Sequence, residues 1–119
     1  EKIHEETGGW PHLVQLVAET VVDQLNKTSQ TEVDGAFLER CLTKATQAGD
    51  TVFEQLLKGE SELEGEWLYL QGFAEAEHQP PPDDLEVRRS LRRRLLVVED
   101  GDGLRLRAPI MARWLRRRA

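Results

Sequence analysis

Residues 96–106 read LVVEDGDGLRL, and this segment is the most informative about the architecture of the second half of the chain. Apolar residues alternate with other residues on both sides of a central EDGDG segment, which is rich in turn-forming residues. Alternation with a period of two is typical of half-buried β-strands, and two such runs around a Gly-rich turn predict a β-hairpin. Elsewhere the apolar residues recur with the period of about 3.6 residues that indicates helices.

A short helix is expected directly before the hairpin. Asp83 and Glu86 form a D-x-x-E start, and the buried seam is predicted to comprise Val87, Leu91 and Leu95. Four arginines, which we call the arginine face, fall on the opposite side of this helix: Arg88, Arg89, Arg92 and Arg93. With Arg105 and Arg107 on the second predicted strand, they form a candidate surface for docking or for nucleic-acid binding.

The order of elements predicts a winged-helix domain over residues 51–119. Three helices precede the hairpin and one follows it; the second starts at an S-x-x-E box in residues 61–64 and runs to about residue 77. Trp67 and Trp114 lie on apolar stripes and are expected to be largely buried, whereas Arg113 is expected to face solvent. The acidic residues around the S-x-x-E box are expected to be solvated: Glu60, Glu62, Glu64 and Glu66.

Residues 1–50 are expected to form a separate, small helical subdomain. One helix is closed by Gly8-Gly9, and a second is predicted from about residue 11 to residue 26, because Pro11 suits a first helical position. Thr31 is expected to cap a third helix that ends near residue 49. Cys41 lies in its apolar stripe and is predicted to be a small buried hydrophobe rather than a catalytic thiol. The expected fold class is therefore mainly α, with a helical subdomain, a winged-helix domain and one β-hairpin.

Composition limits the function classes that are open to the chain. Its 119 residues, 39% hydrophobic and 32% charged, suffice for one ordinary domain or two very small ones. No apolar run approaches the roughly 20 residues that span a bilayer, so no membrane role is expected. The single cysteine and the lack of a signal-like segment favour the cytoplasm. We expect a piece of a longer chain, because the sequence does not begin with Met.

The net charge of −6 conceals two opposed halves. Residues 1–80 carry five Lys or Arg against 16 Asp or Glu, whereas residues 81–119 carry 11 Arg against six acidic residues. Such halves either face each other within one fold or present a basic surface to an anionic partner.

The sequence contains no motif that is typical of a catalytic site or a metal site. His4, His12 and His78 have no metal-ligand spacing with each other or with Cys41. No serine lies in a G-x-S-x-G context, and residues 99–102 lack the pattern of a calcium loop. The sequence also has no G-x-x-x-x-G-K-[ST] loop to cradle phosphates and hold Mg²⁺, so the chain is not expected to be an enzyme by itself.

The most specific local signal is Thr7-Gly8-Gly9-Trp10-Pro11, followed by Leu13-Val14-Gln15-Leu16. This segment resembles the G-G-x-P-x-L-L-Q motif of the STAND class of AAA+ ATPases, relatives of the NB-ARC and archaeal-type ATPases. The resemblance extends over essentially the whole chain, as the helical lid and winged helix of such a protein. Its further matching positions are Phe53, Leu95-Leu96-Val97, Asp100-Gly101, Leu104-Arg105-Leu106 and Trp114-Leu115-Arg116.

The resemblance implies an ATP- or ADP-responsive switch within a parent ATPase. In the family, the proline of this motif packs against adenine from the lid side, so the implied cofactor-contacting residues are Pro11, Gly9, Trp10 and His12. ATP or ADP, with Mg²⁺, would be held in the parent protein by a nucleotide-binding domain N-terminal to this region, on which the winged helix docks. His12 stands where many AAA+ proteins have an arginine that senses the γ-phosphate.

A winged-helix module that binds DNA is the alternative function. The arginine face lies on the helix in the recognition position, which favours phosphate contacts. This helix, however, has no Asn or Gln to read adenine edges, and the rest of the chain is acidic. Docking within the parent protein, together with solvation, is therefore the preferred interpretation of the arginine face, and contact with another protein is a further alternative.

Overall fold

Helices dominate the chain, and a two-stranded hairpin precedes the last of them. The computed structural model describes residues 2–29, 31–59 and 63–118. The strands are β1 (Val97–Asp100) and β2 (Gly103–Leu106), and a 3₁₀ turn spans Gly72–Ala74. The expected class, mainly α with one β-hairpin, is confirmed. The described α-helices are α1 (Lys2–Thr7), α2 (Pro11–Thr28), α3 (Gly35–Ala48), α4 (Asp50–Leu57), α5 (Glu64–Gln71), α6 (Leu85–Arg93) and α7 (Pro109–Arg118).

The hairpin is antiparallel, and a third extended segment is hydrogen-bonded to β2. Asp100 lies opposite Gly103, and Gly101 between them takes the left-handed conformation at φ +62° that a tight turn requires. The Gln79 N–H donates to the Leu104 carbonyl at 2.9 Å, and the Gln79 carbonyl accepts from the Leu104 N–H at 2.7 Å. β2 is therefore hydrogen-bonded on both of its edges.

One hydrophobic cluster runs through both halves of the chain. Leu13 and Leu42 belong to the same cluster as Phe53 and Trp114. α7 packs against α1, α3 and α4, and the rings of Phe53 and Trp114 stack with centroids 5.7 Å apart. Trp114 is 2% exposed, as expected, and Cys41 is also buried as predicted. Two helical groups on either side of residue 50 thus share a core, and their division into subdomains stays a prediction.

The helix ends in the first half differ from the sequence prediction. α2 continues to Thr28, two residues beyond the predicted end. Asp34 rather than Thr31 caps α3, because its carboxylate accepts a hydrogen bond from the Phe37 N–H at 2.7 Å. A carboxylate at this position also interacts favourably with the positive end of the helix dipole. The N-cap therefore lies at Asp34, three residues after the predicted cap.

The ends of α5 and the exposure of two of its residues differ from the prediction. The predicted capping residue Ser61 lies outside the described residues, and the helical stretch ends at residue 74 rather than 77. Glu66, expected to be solvated, is 0% exposed because it pairs with Arg94. Trp67, expected in the core, is only half-buried, and the Arg118 guanidinium lies 5.0 Å from its ring centroid.

Val87 and Leu91 of the predicted α6 seam are buried as expected, but the helix ends at Arg93, two residues before Leu95. Leu95 is 56% exposed and has φ +58°, so its prediction as a core residue is wrong. The Leu96 N–H donates to the Leu91 carbonyl at 3.2 Å, and the Leu95 N–H donates to the Arg92 carbonyl at 3.1 Å. This pair of bonds is a Schellman C-cap, which turns Leu95 outward and brings Leu96 into the core.

In the part of the chain that the structure describes, no helix combines the length and the apolar character needed to cross a membrane.

Candidate functional site

The segment that carries the family resemblance forms a tight turn between α1 and α2. Gly8 and Gly9 have φ +62° and +77°, a region that a Cβ disfavours. The Trp10 N–H donates to the Thr7 carbonyl at 3.2 Å, and the Thr7 hydroxyl accepts from the Gly9 N–H at 3.3 Å. Pro11 then begins α2. We call residues 7–11 the Gly-Gly turn.

The four residues implied to contact a nucleotide lie together at the protein surface. Pro11 and His12 are exposed on the first turn of α2, whereas Gly9 and Trp10 are half-buried. A Cβ on Gly9 would lie 2.9 Å from Cε1 of His4, so α1 packs closely beneath the turn. The turn therefore has one solvent-accessible side, formed by Pro11 and His12.

Arg107 contacts the Gly-Gly turn instead of the surface on which it was expected. Its Nε donates to the Gly8 carbonyl at 3.2 Å, and its backbone N–H donates to the Leu96 carbonyl at 2.9 Å. A Cβ on Gly8 would lie 2.9 Å from the Arg107 carbonyl oxygen. Glycine is thus required at this position both by its φ and by the close approach of the chain after β2.

The arginine face is exposed along α6. Arg92 forms an ion pair with Glu99 of β1 at 2.7 Å, and both side chains are more than 70% exposed. Arg88, Arg89 and Arg93 pair with no carboxylate among the residues that the structure describes. Within the described part of the acidic half, no carboxylate neutralises these three arginines.

Acidic residues surround the tip of the hairpin. Asp100 contacts His78 and lies 3.5 Å from Nε of Arg105, while Glu99 and Asp102 are exposed. A cavity of about 230 Å³ between α6 and the hairpin is lined by side chains of both charges. Arg105, expected on the basic surface, is therefore already partnered by the chain.

An ion cluster that the sequence analysis missed joins α1, α3 and α7. Arg113 donates from Nε and Nη2 to the two Glu6 oxygens at 3.2 and 3.1 Å, and from Nη1 and Nη2 to the two Glu39 oxygens at 2.8 and 3.0 Å. Glu6 is 6% exposed. The hydrogen bond from Arg113 lowers the pKa of Glu39, and the same bond raises the pKa of Arg113. The expectation that Arg113 faces solvent is wrong because its partners are 107 and 74 residues distant in the sequence.

A second missed pair lies between α4, α5 and the end of α6. Arg94 pairs with Glu66, and its Nη2 donates to the carbonyls of Leu56 and Leu57 at 2.8 and 2.9 Å. These carbonyls end α4, where no helical N–H remains to bond them. The Oε2 atom of Glu66 is buried with no hydrogen-bond partner among the described residues. Arg94 thereby fixes the helix that carries the arginine face.

Residues 2–29, 31–59 and 63–118 contain no group of three or more His, Cys, Asp or Glu side chains that could hold a metal ion. Comparison of the chain with protein-family models, with curated proteins and with solved structures gives no match.

Proposed function

We propose that this chain is the lid and winged-helix region of a STAND-type signalling ATPase, in which it couples the ATP or ADP state to a conformational change. The Gly-Gly turn carries the proposal, because two left-handed glycines lead directly into an exposed Pro11 and His12. A proline ring held at the surface suits the adenine contact that the family resemblance implies. The hairpin extended by Gln79 and closed by α7 supports the winged-helix assignment.

ATP or ADP, with Mg²⁺, would be bound mainly by a domain that precedes this region in the full protein. This chain has no phosphate-cradling loop, so its contribution is one wall of the adenine site. The isolated chain should therefore show no tight nucleotide binding. Calorimetry that detects micromolar ATP binding by the isolated chain would contradict this division of roles.

Nucleotide affinity of the full natural protein tests the role of Pro11. Pro11→Ala removes two ring CH₂ groups, each worth about 0.8 kcal/mol when buried, and should weaken ATP and ADP binding by about tenfold. Pro109→Ala is the matched control, because Pro109 also begins a helix but lies at α7. Equal affinity of both variants and the wild type would refute the contact between adenine and Pro11.

The proposal assigns the arginine face to docking on the nucleotide-binding domain. Arg88 and Arg93 are exposed and have no carboxylate partner among the described residues, although Arg88 donates to the Asp83 carbonyl at 3.5 Å. Exposed ion pairs contribute only about 0–1 kcal/mol each. Several such pairs suit an interface that must open again. Reversal of Arg88, Arg92 and Arg93 to Glu should leave the chain folded and raise nucleotide exchange in the full protein.

DNA binding remains the second candidate, favoured by the four exposed arginines on one helix. The acidic hairpin tip and the engagement of Arg107 with Gly8 weigh against it. A mobility shift on generic duplex DNA over a salt series separates the two functions. If the triple reversal abolishes a salt-sensitive DNA affinity and leaves nucleotide exchange unchanged, the DNA-binding function is correct.

A further inference from the structure

Two arginines near the start of α7 attach the second half of the chain to the Gly-Gly turn and to the helix before it. Arg107 holds the Gly8 carbonyl, and Arg113 holds the Glu6 carboxylate through two of its own hydrogen bonds. The two contacted residues, Glu6 and Gly8, are separated by a single residue in the sequence. We call Arg107 and Arg113, with their partners Gly8, Glu6 and Glu39, the arginine clasp.

The chemistry of the clasp opposes movement between its two sides. Arg113 uses Nε, Nη1 and Nη2 on two carboxylates, and Glu6 is 6% exposed. Separation of the two sides would break these charge-assisted hydrogen bonds together, and such bonds are stronger than hydrogen bonds between neutral groups. At Gly8, the backbone of the turn and the backbone after β2 approach so closely that no Cβ fits between them. The two sides are thus joined both electrostatically and sterically.

We propose that Arg107 and Arg113 are positioning residues that make the Gly-Gly turn, and with it Pro11, move as one body with the hairpin and α7. For its consequence at the nucleotide, this inference rests on the function proposed above. A displacement of Pro11 by the bound nucleotide is then passed directly to the hairpin and to α6, which carries the arginine face.

Four variants of the full natural protein test the clasp. Arg107→Met and Arg113→Met keep an unbranched apolar side chain while they remove the hydrogen bonds. Arg105→Met and Arg116→Met are the controls, because Arg105 pairs with Asp100 of the hairpin and Arg116 is exposed. Gly8→Ala perturbs the same contact from the other side, and circular dichroism confirms that each variant is folded.

Amide hydrogen exchange at Gly9 and Trp10 measures whether the turn is still held. We expect exchange there to accelerate by about tenfold in both clasp variants and in Gly8→Ala, and to remain within about twofold of wild type in the controls. Exchange that is unchanged in the folded clasp variants would overturn the inference. This measurement requires no nucleotide, so it decides the coupling even if the proposed function is wrong.

Nucleotide release measures the consequence of the coupling. We expect ADP to dissociate several-fold faster from the clasp variants than from Arg116→Met. If exchange at the turn rises while ADP dissociation stays unchanged, the clasp only stabilises the fold and its positioning role is refuted. If the wild-type full protein binds no adenine nucleotide, the proposed function fails, and the exchange result alone supports or rejects the coupling of the turn to the hairpin.

Discussion

Replacement of Arg94 by Met should be among the most destabilising single changes in the chain. The Arg94 side chain is 20% exposed and pairs with Glu66, which is 0% exposed. It also holds the Leu56 and Leu57 carbonyls at the end of α4. Met fills a similar volume, so the substitution removes the charge and the hydrogen bonds and leaves most of the packing in place.

The magnitude follows from the burial of Glu66. Loss of one partner of a buried ion pair typically costs about 3–5 kcal/mol, because the remaining charge is left uncompensated. One Glu66 oxygen already lacks a partner, so no second hydrogen bond within the described residues can compensate. Replacement of both residues, as Arg94→Met with Glu66→Leu, should recover most of the loss, since an apolar pair of similar volume is often as stable as a buried ion pair.

Urea denaturation followed by circular dichroism at neutral pH measures these differences. The matched control is Arg92→Met, which breaks the exposed pair with Glu99 and should cost about 0–1 kcal/mol. A loss below about 1 kcal/mol for Arg94→Met would show that the pair is not buried in solution. A double variant that is less stable than Arg94→Met would refute the argument that the uncompensated charge is the origin of the loss.

Three further predictions concern single residues. Trp114→Ala should cost about 3–5 kcal/mol and the half-buried Trp67→Ala less than about 2 kcal/mol, as measured by urea denaturation. Leu95→Gly should raise the free energy of unfolding by up to about 1 kcal/mol, because glycine carries no Cβ penalty at φ +58°; a lower value would show that the leucine side chain stabilises the fold. The hydrogen bond from Arg113 lowers the pKa of Glu39 in the folded chain below its usual value of 4.5. The interaction of Glu39 with Arg113 therefore stabilises the fold fully above pH 4.5, and this stabilisation is lost as pH falls through the lower folded pKa. Glu39→Gln should therefore reduce the loss of stability between pH 7 and about pH 3, by less than about 1 kcal/mol because the side chain is half exposed.

Local patterns in the sequence were sufficient to predict the elements of the fold. Alternation around EDGDG predicts the hairpin because strand residues face alternate sides over only a few positions. The apolar stripe of α3 predicts its buried side, including Cys41, because helix periodicity is equally local. The Gly8-Gly9 pair predicts a turn because few other residues tolerate two successive left-handed conformations.

The same local reasoning failed where a distant side chain decides the outcome. Glu66 looks like a solvated glutamate in an acidic segment, yet Arg94, 28 residues later, draws it into the core. Leu95 continues the period of α6, but the C-cap that ends the helix depends on the core position taken by Leu96. Neither outcome leaves a signal in the spacing of nearby residues.

The excess of arginine after residue 80 therefore combines two different roles. From composition and spacing alone, these arginines look like one basic surface. The structure divides them, because Arg94, Arg107 and Arg113 bind carboxylates or carbonyls of this chain whereas Arg89 and Arg93 are exposed without an ion-pair partner in the described part of the chain. The first group joins segments that are far apart in the sequence, so its loss should change stability or coupling with little dependence on salt. The second group is solvated, and its interactions should weaken as salt increases. Salt dependence thus separates arginines that hold this fold together from those to which we assign the proposed docking.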